Sequence, residues 1–346
     1  MRKRLNLVSK IKNAMVHSFR NDRLIVSSRN SFFELCNFEN PELKLIGSIP
    51  WNGFQKVFKF RSVDRILNNN IRLVHKANNG DYLVCNPKGW WSYDATSMLL
   101  KAQPALSGTR PLAKGVCRGE DGSTYISEYS LNPDRKEVKI FRFDKSANLE
   151  VVHVFEKHTI RHIHGLIRDR VRKGRIWVLT GDNDDESHFY YTDDHFNSLN
   201  LFLSARQLSR AVDIVFRGKK IIWGTDSPDQ QNYIMQADID NPDKYEFIAP
   251  LPGPVYYTCQ NMAGATYFAT TAEPGPASEK KHARIFSLSP GNKIREVHNC
   301  SRDLIPQHGI IYFPSGVLPE NYVIFSQKAL KPNEGCTIIA RDESSQ

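Results

Sequence analysis

The chain has 346 residues, 40% of them hydrophobic and 24% charged, and a formal net charge of +10. This is the composition of a globular protein, and no apolar run reaches the roughly 18 residues that a membrane-spanning helix needs. Six cysteines are scattered without a CxxC spacing, which argues against a zinc site or a disulfide framework and favours buried reduced thiols. The positive charge suits an anionic partner without choosing among nucleic acid, an acidic glycan and a membrane surface.

The first 22 residues are basic and lack the apolar core and cleavage site of a secretory signal. Several apolar residues at helical spacing predict either a solvated leader or a short amphipathic helix there, with a peripheral membrane contact as one role. We therefore predict a basic leader or helix over 1–22, a single domain over 23–346, and a cytoplasmic location. One or two helical turns are predicted around Val63–Leu67.

From residue 23 onward, short β-branched and aromatic runs alternate with turns rich in Gly, Asp, Asn and Lys. Between about 71 and 300 these runs form units of four strands, each with a tight turn before the fourth strand. The turns align at positions 94, 144, 194, 240 and 289, which are 50, 50, 46 and 49 residues apart. A period near fifty residues with four strands per unit is typical of a β-propeller.

Three further strand-like runs precede these five units, over 23–49, and three follow them, over 308–341. The six extra strands could form two more blades or merge into one closing blade. The sequence thus predicts an all-β propeller of four-stranded blades, with seven blades preferred and six as the alternative.

The turn from Thr192 to Leu199 resembles the Asp-box hairpin, Ser-x-Asp-x-Gly-x-x-Trp, with Thr for Ser, Phe196 for Gly and Leu199 for Trp. With the segments RHIHG, IWVLTGDND, IIWGTDSPD, LPGPVYY and FATTAEP, the turns resemble sialidase-like propeller proteins associated with bacterial exopolysaccharide gene clusters. The resemblance covers about 71–310 and implies a propeller fold. The arginine triad and the Tyr/Glu nucleophile pair of true sialidases are not assignable, so sialidase chemistry is not expected.

In a four-stranded blade, the start of the innermost strand and the loop between the second and third strands lie on one face, opposite the tight turns. Polar side chains from five or six units are predicted to converge on that face. The candidate catalytic residues are His162, His164, Tyr256, Tyr257, Glu128 and Asp182. The candidate substrate-binding residues are Arg110, Arg161, Arg210, Asp213, Asp226, Glu273 and His308.

His162 and His164 are two residues apart, so on a strand they face the same way. They could transfer protons, ligate a metal, or bond structurally to neighbouring loops, and the sequence identifies no third metal ligand. Arg161 and Arg210 could bind a substrate carboxylate or form salt bridges with the acidic candidates.

The acidic run at 182–186 offers alternating oxygen ligands for calcium, but it lacks the Gly and distal Glu of an EF-hand, so an ordinary acidic loop is the stronger interpretation. No other metal or cofactor is predicted. Tyr256 and Tyr257 could offer a phenol to a sugar or pack in the interior.

Polysaccharide lyases of propeller fold remove the proton beside a uronate carboxylate with His or Tyr, while Arg or a metal neutralises that carboxylate. The predicted rim holds all these residue types, so by analogy of fold we predict action on an acidic, uronate- or sialate-like bacterial polysaccharide, with a lyase preferred to a glycoside hydrolase. The alternative is a non-catalytic glycan-binding or scaffold propeller in polysaccharide biosynthesis. A nucleic-acid partner is not predicted, because the aromatic–basic interleaving of RNA-binding segments is absent.

Overall fold

The computed structural model describes residues 5–50, 70–106, 108–146, 148–305 and 307–343. Within these ranges the chain forms thirty strands and two short 3-10 helices, Pro104–Leu106 and Arg206–Ser209. The first fifteen strands are β1 (Asn6–Ile11), β2 (Met15–Arg20), β3 (Arg23–Ser28), β4 (Ser31–Leu35), β5 (Lys44–Ser48), β6 (Leu73–Lys76), β7 (Tyr82–Asn86), β8 (Gly89–Tyr93), β9 (Leu100–Ala102), β10 (Val116–Arg118), β11 (Thr124–Ser127), β12 (Val138–Phe143), β13 (Leu149–Phe155), β14 (His162–Arg168) and β15 (Ile176–Gly181). The other fifteen are β16 (His188–Thr192), β17 (Asn200–Ser204), β18 (Ile214–Arg217), β19 (Lys220–Gly224), β20 (Asn232–Asp238), β21 (Asn241–Leu251), β22 (Val255–Asn261), β23 (Thr266–Thr270), β24 (His282–Leu288), β25 (Ile294–Arg302), β26 (Ile310–Tyr312), β27 (Val317–Leu318), β28 (Tyr322–Lys328), β29 (Leu330–Lys331) and β30 (Thr337–Arg341). The helical turns predicted around Val63–Leu67 lie outside the described residues.

The strands form seven sheets, which are the blades of a β-propeller. Blades one to six run in chain order as β2–β5, β6–β9, β10–β13, β14–β17, β18–β21 and β22–β25. The seventh blade has the order β26, β28, β30 and β1 from the centre outward, and the short strands β27 and β29 extend blade six. The prediction of an all-β propeller with seven blades is confirmed.

The N-terminal part of the chain closes the ring. Strand β1 pairs antiparallel with β30, from Asn6 opposite Arg341 to Ile11 opposite Thr337, and so completes the seventh blade. The predicted leader or helix over 1–22 is therefore wrong for residues 6–20, which form β1 and β2 and belong to the propeller. A register shift between Leu7 and Ser9 breaks the two-residue alternation, so the apolar residues fall at a helix-like spacing although the backbone is extended.

Burial follows position within a blade. The second strand is enclosed on both sides by neighbouring blades, and all six residues of β15 are buried. The outermost strand meets solvent, and most residues of β13 are exposed or only partly buried. The interior is built largely from hydrophobic clusters between adjacent blades. These clusters contain the fully buried indoles of Trp90, Trp177 and Trp223, and each indole N–H donates to an oxygen acceptor.

Five of the six cysteines are buried free thiols, and Cys36 is exposed. Burial raises the pKa of the Cys85 and Cys117 thiols to about 12, so both stay protonated near neutral pH. The predicted buried thiols are thus confirmed at five positions. Nowhere in the described parts of the chain is there a helix with the length and apolar character needed to span a membrane.

The tight turns that set the fifty-residue period all join the third and fourth strands of a blade. In blade four, Thr192 Oγ1 accepts the backbone N–H of Phe196 at 2.9 Å, and Asp194 Oδ1 accepts that of Ser198 at 2.9 Å. Asp144 accepts two backbone N–H groups in the same way in blade three. The side chains therefore replace backbone acceptors inside the turn, as the repeat predicted.

Phe196 stands where the Asp-box hairpin has glycine. Its backbone is in the left-handed region, with φ of 74°, which is unfavourable for an aromatic residue. The ring is buried and packs against Tyr125 of blade three, with ring centroids 5.2 Å apart. Packing between blades thus offsets the backbone strain of this turn.

Replacing Thr192 with Val should lower the free energy of unfolding by about 1–3 kcal/mol, because the buried N–H of Phe196 loses its acceptor while the side-chain shape is kept. Chemical denaturation measures this change. Thr192→Ser retains the hydroxyl and serves as the control, with a smaller loss. A Thr192→Val variant as stable as the wild type, with a larger loss in Thr192→Ser, would show that the methyl group, not the hydrogen bond, stabilises the turn.

The central channel has a cavity at each end. We call the face with the starts of the innermost strands the upper face, as predicted for the site, and its cavity of about 660 Å³ is the upper cavity. The lower cavity, of about 1210 Å³, lies at the opposite ends of the same strands. Its wall includes the buried ion pair of Lys114 and Asp213, whose Nζ and Oδ2 atoms are 3.0 Å apart.

His75 on β6 also lines the lower cavity, and its Nε2 atom is shielded from solvent with no hydrogen-bond partner among the described residues. Burial, and then the nearby Arg20 guanidinium, lower the pKa of His75 from 6.5 to about 4. Between pH 6.5 and about pH 4, His75 binds a proton in the unfolded chain but not in the folded chain. The free energy of unfolding therefore rises with pH in this range and falls on acidification.

Replacing His75 with Asn should therefore flatten the pH dependence of stability. The contribution removed between pH 7 and pH 4 is about 1–3 kcal/mol, measured as the difference in unfolding free energy between the two proteins at each pH. Parallel curves for the wild type and His75→Asn would contradict the assignment.

Candidate active site at the upper face

Nine of the thirteen predicted site residues lie in two adjoining groups on the upper face. The first group, here called the histidine cluster, comes from blades four and five and consists of Arg161, His162, His164, Asp182, Arg210 and Asp226. The second, called the Glu273 group, comes from blades six and seven and consists of Tyr256, Glu273 and His308. Each member stands at the start of an innermost strand or in a loop after a second strand, as the sequence predicted.

Strand pairing in blade four sets up the histidine cluster. His162 begins β14 and pairs with Gly181 at the end of β15, so Asp182 follows directly beside the two histidines. A Cβ atom at position 181 would lie 3.1 Å from Cε1 of His164 and 3.4 Å from Cγ of Arg210. Glycine at this position therefore lets an imidazole and a guanidinium approach the same carboxylate.

Both imidazoles are buried and fixed by backbone carbonyls. Nδ1 of His162 donates to the carbonyl of Ser130 at 3.1 Å, and Nδ1 of His164 donates to that of Ala211 at 3.3 Å. The two Nε2 atoms are 3.0 Å apart, and each lies 3.3 Å from Oδ1 of Asp182.

Asp182 is the centre of charge in this cluster. Its Oδ2 accepts from Nη1 of Arg161 at 3.2 Å, and its Oδ1 lies 3.1 Å from Nη2 of Arg210. Burial acts to raise the pKa of the Asp182 carboxyl, but its contacts with His162 and His164 outweigh burial and hold that pKa far below its ordinary value. The carboxylate is thus ionised, and both arginines are engaged by protein acids.

Asp226 extends the cluster toward blade six. Its Oδ2 is 3.7 Å from Nε of Arg210, and its buried Oδ1 has no hydrogen-bond partner among the described residues. Burial raises the pKa of Asp226 well above its ordinary value, with Arg210 opposing and Glu273 adding to the rise. Asp226 therefore stands between the two groups and couples them electrostatically.

The Glu273 group is closer to solvent. Buried Glu273 accepts the Tyr256 hydroxyl at Oε2 at 2.8 Å, and the same oxygen lies 2.9 Å from Nδ1 of His308. The side chain of His308 is 52% exposed, whereas that of Glu273 is 4% exposed. With Nδ1 against the carboxylate, Nε2 is the ring nitrogen that remains for a substrate. Burial raises the pKa of Tyr256 well above its ordinary value, so the phenol keeps its proton.

Tyr129 connects the histidine cluster with the upper cavity. Its ring packs on His162 with centroids 4.3 Å apart, and it lines the cavity together with Arg72 and Arg110. The sequence did not single out Tyr129, although it lies in the loop between the second and third strands of blade three. Its position in that loop is the sequence signal that could have identified Tyr129 as a site residue.

Four predicted site residues lie outside both groups. Glu128 accepts the backbone N–H of Lys139 at 2.9 Å, and Tyr257 stacks on Tyr312 in the wall of the upper cavity with centroids 5.0 Å apart. Arg110 is exposed at that cavity. Asp213 accepts from Thr258 and pairs with Lys114, so it is enclosed in the channel wall.

The acidic loop at 182–186 does not gather its oxygen atoms. Asp182 joins the histidine cluster, whereas buried Glu186 pairs with Arg135 and accepts the backbone N–H of Arg161 at 3.2 Å. In the described part of the chain, the group of three potential metal ligands is His162, His164 and Asp182. The geometry of the loop thus favours ion pairs over a calcium cage.

No protein-family model matches the sequence, and a search of curated proteins found no relative. Among solved structures the chain is similar to virginiamycin B lyase from Staphylococcus aureus, with 11% identity, 98% of both chains covered and a TM-score of 0.60. It is also similar to YCF48 bound to D1 peptide, with 12% identity, 97% of both chains and a TM-score of 0.56. A third similar structure is the AfRom2 CNH domain, with 8% identity, 98% and 99% of the chains and a TM-score of 0.56. At such identities the likeness shows the propeller fold alone, and it gives no support to the finer resemblance to sialidase-like proteins.

Proposed function

We propose that the upper face is the active site of a β-eliminating lyase for an anionic, uronate-containing glycan. The observation that carries the proposal is the Glu273 group. It places an exposed imidazole, His308, and a protonated phenol, Tyr256, on one buried carboxylate. A carboxylate that orients an imidazole through Nδ1 and leaves Nε2 free is the arrangement of a general base.

In this reaction Nε2 of His308 takes the proton from the carbon beside the uronate carboxylate. The electron pair of that C–H bond forms the C=C bond, and the C–O bond to the leaving sugar breaks. The hydroxyl of Tyr256 gives its proton to the leaving oxygen, which balances the reaction without an oxidant or water. Glu273 stabilises the imidazolium that forms and holds both groups in place.

The substrate would lie over the upper cavity. About 660 Å³ is a volume typical of small-ligand sites, and the wall combines the guanidinium of Arg72 and exposed Arg110 with the rings of Tyr129 and Tyr312. Guanidinium groups pair with carboxylates, and aromatic rings pack on sugar faces. The net charge of +10 attracts a polyanion to the protein.

The sequence pattern offers His162 and His164 as proton-transfer groups, whereas the geometry favours His308 as the base. His162 is 5% exposed and His164 is 2% exposed, and their Nε2 atoms face each other and Asp182. Their Nε2 atoms are therefore less accessible to a polymer than the exposed ring of His308. The histidine cluster therefore suits a supporting role next to the reacting groups.

The alternative function is a non-catalytic glycan-binding propeller. It is favoured by the internal pairing of the arginines, since Arg161 and Arg210 are both held by Asp182. In that case the upper cavity binds the anionic sugar and the Glu273 group transfers no proton.

The test is an ultraviolet assay on a panel of uronate-containing polysaccharides, with a parallel assay for reducing ends. A lyase produces an absorbing C=C bond with each chain cleavage. Reducing ends without absorbance would indicate hydrolysis and overturn the proposal. Calorimetric binding without either product would establish the binding alternative.

A further inference from the structure

The histidine cluster contains three hydrogen-bond acceptors that point at one another. Because Nδ1 of His162 and Nδ1 of His164 both donate to backbone carbonyls, each neutral ring carries its lone pair on Nε2. The two Nε2 atoms are 3.0 Å apart, and each lies 3.3 Å from Oδ1 of the Asp182 carboxylate. Buried acceptors at such distances repel one another unless a positive species lies between them.

We propose that Nε2 of His162, Nε2 of His164 and Oδ1 of Asp182 bind a divalent transition-metal ion of the zinc type. The ligand types are those of zinc sites, and three protein ligands with one open position are typical of catalytic rather than structural zinc. Zinc–ligand bonds of about 2.0–2.1 Å in a tetrahedron place the ligand atoms about 3.3 Å apart. The observed separations of 3.0, 3.3 and 3.3 Å match that value. Calcium and magnesium prefer all-oxygen sites, so two imidazoles disfavour them.

The surroundings hold these ligands in place. Metal-binding imidazoles commonly donate their other N–H to a carbonyl, as both rings do here. Arg161 donates to Oδ2 of Asp182, and Arg210 approaches Oδ1. Because a carboxylate oxygen has two lone pairs, Oδ1 of Asp182 can bind the ion while Arg210 approaches it.

The competing explanation for the contact is a proton shared between the two Nε2 atoms. A shared proton holds the rings together but gives no affinity for a metal ion, so metal binding separates the two explanations. The metal site itself is independent of substrate. Only its catalytic use, which is neutralising the uronate carboxylate at the open position, rests on the proposed lyase function.

The experiment uses the full chain, freed of metal by chelation and titrated with zinc chloride by calorimetry and with cobalt(II) by visible absorption. The expected result is one equivalent bound, with the intense visible bands of four-coordinate cobalt(II). His164→Ala and Asp182→Asn should weaken binding at least about 100-fold. The matched control is His188→Ala, since His188 lies on β16 of the same blade with Nε2 against the carbonyl of Asp185. It should bind like the wild type.

Circular dichroism and a cooperative thermal unfolding transition in the absence of zinc establish that each variant is folded, and His162→Gln replaces any variant that is not. No binding to the wild type, or equal binding to the wild type and His164→Ala, would overturn the metal site. Metal binding without any elimination product would leave the site standing and reject the lyase. Elimination that persists in the chelated protein would leave both the lyase and the metal site standing and would overturn only the catalytic use of the metal.

Discussion

Replacing His308 with Gln should lower the rate constant of β-elimination by about 10²–10⁴-fold, which is the usual contribution of a positioned general base. The side chain is exposed and its one described partner is Glu273, so the propeller should keep its stability. Substrate affinity should change little, because the arginines of the upper cavity are untouched. The measurement is kcat and KM from the ultraviolet assay.

The control for this substitution is His282→Gln. His282 is a partly buried histidine on β24 that contacts Asn299, outside both groups of the upper face, and its replacement should leave kcat unchanged. Glu273→Gln should also reduce kcat, because the amide no longer stabilises the imidazolium that forms on His308. A His308→Gln variant within threefold of the wild-type kcat would move the base role back to the histidine cluster.

Replacing Lys114 with Met should lower the free energy of unfolding by about 3–5 kcal/mol, because Asp213 is left charged inside the channel wall. The two side chains are 9% and 4% exposed, and their charged atoms are 3.0 Å apart. Thr258 also donates to Asp213, but it supplies no compensating charge. Chemical denaturation gives the unfolding free energy.

An exposed ion pair provides the matched control. Lys219 and Asp240 are also 3.0 Å apart, but their side chains are 77% and 48% exposed, so Lys219→Met should cost less than about 1 kcal/mol. The double variant Lys114→Met with Asp213→Asn should be more stable than Lys114→Met alone, since no unpaired charge remains. A double variant as unstable as the sum of its parts would show that the pair contributes packing rather than charge compensation.

The sequence predicted the ring well because a propeller is a repeat of local units. The polar side chain in each tight turn bonds to backbone a few residues away, as Asp144 and Asp194 do, so its signal survives in the chain without knowledge of the fold. The same repeat predicted the face of the site. The strand-end positions of His162, Glu273 and His308 follow from strand order alone.

The sequence failed where packing between distant segments decides the outcome. The sequence predicts a leader or helix at β1 because its partner, β30, lies at the other end of the chain and a bulge disturbs its alternation. It also predicts Asp213 on the substrate-binding rim, because Asp213 directly precedes the innermost strand of its unit. Its direction is set by Lys114, which comes from another blade and neutralises it in the channel wall.

By itself the sequence determined the all-β class, the blade period, and which residue types meet on the upper face, because these depend on contacts within one unit. Only the tertiary structure decided how the ring closes, which histidine is exposed, and that Asp182 is the third acceptor beside His162 and His164. The physical reason is that exposure and side-chain direction are fixed by neighbouring blades. Residues remote in sequence supply the counter-charges and carbonyls that orient each group.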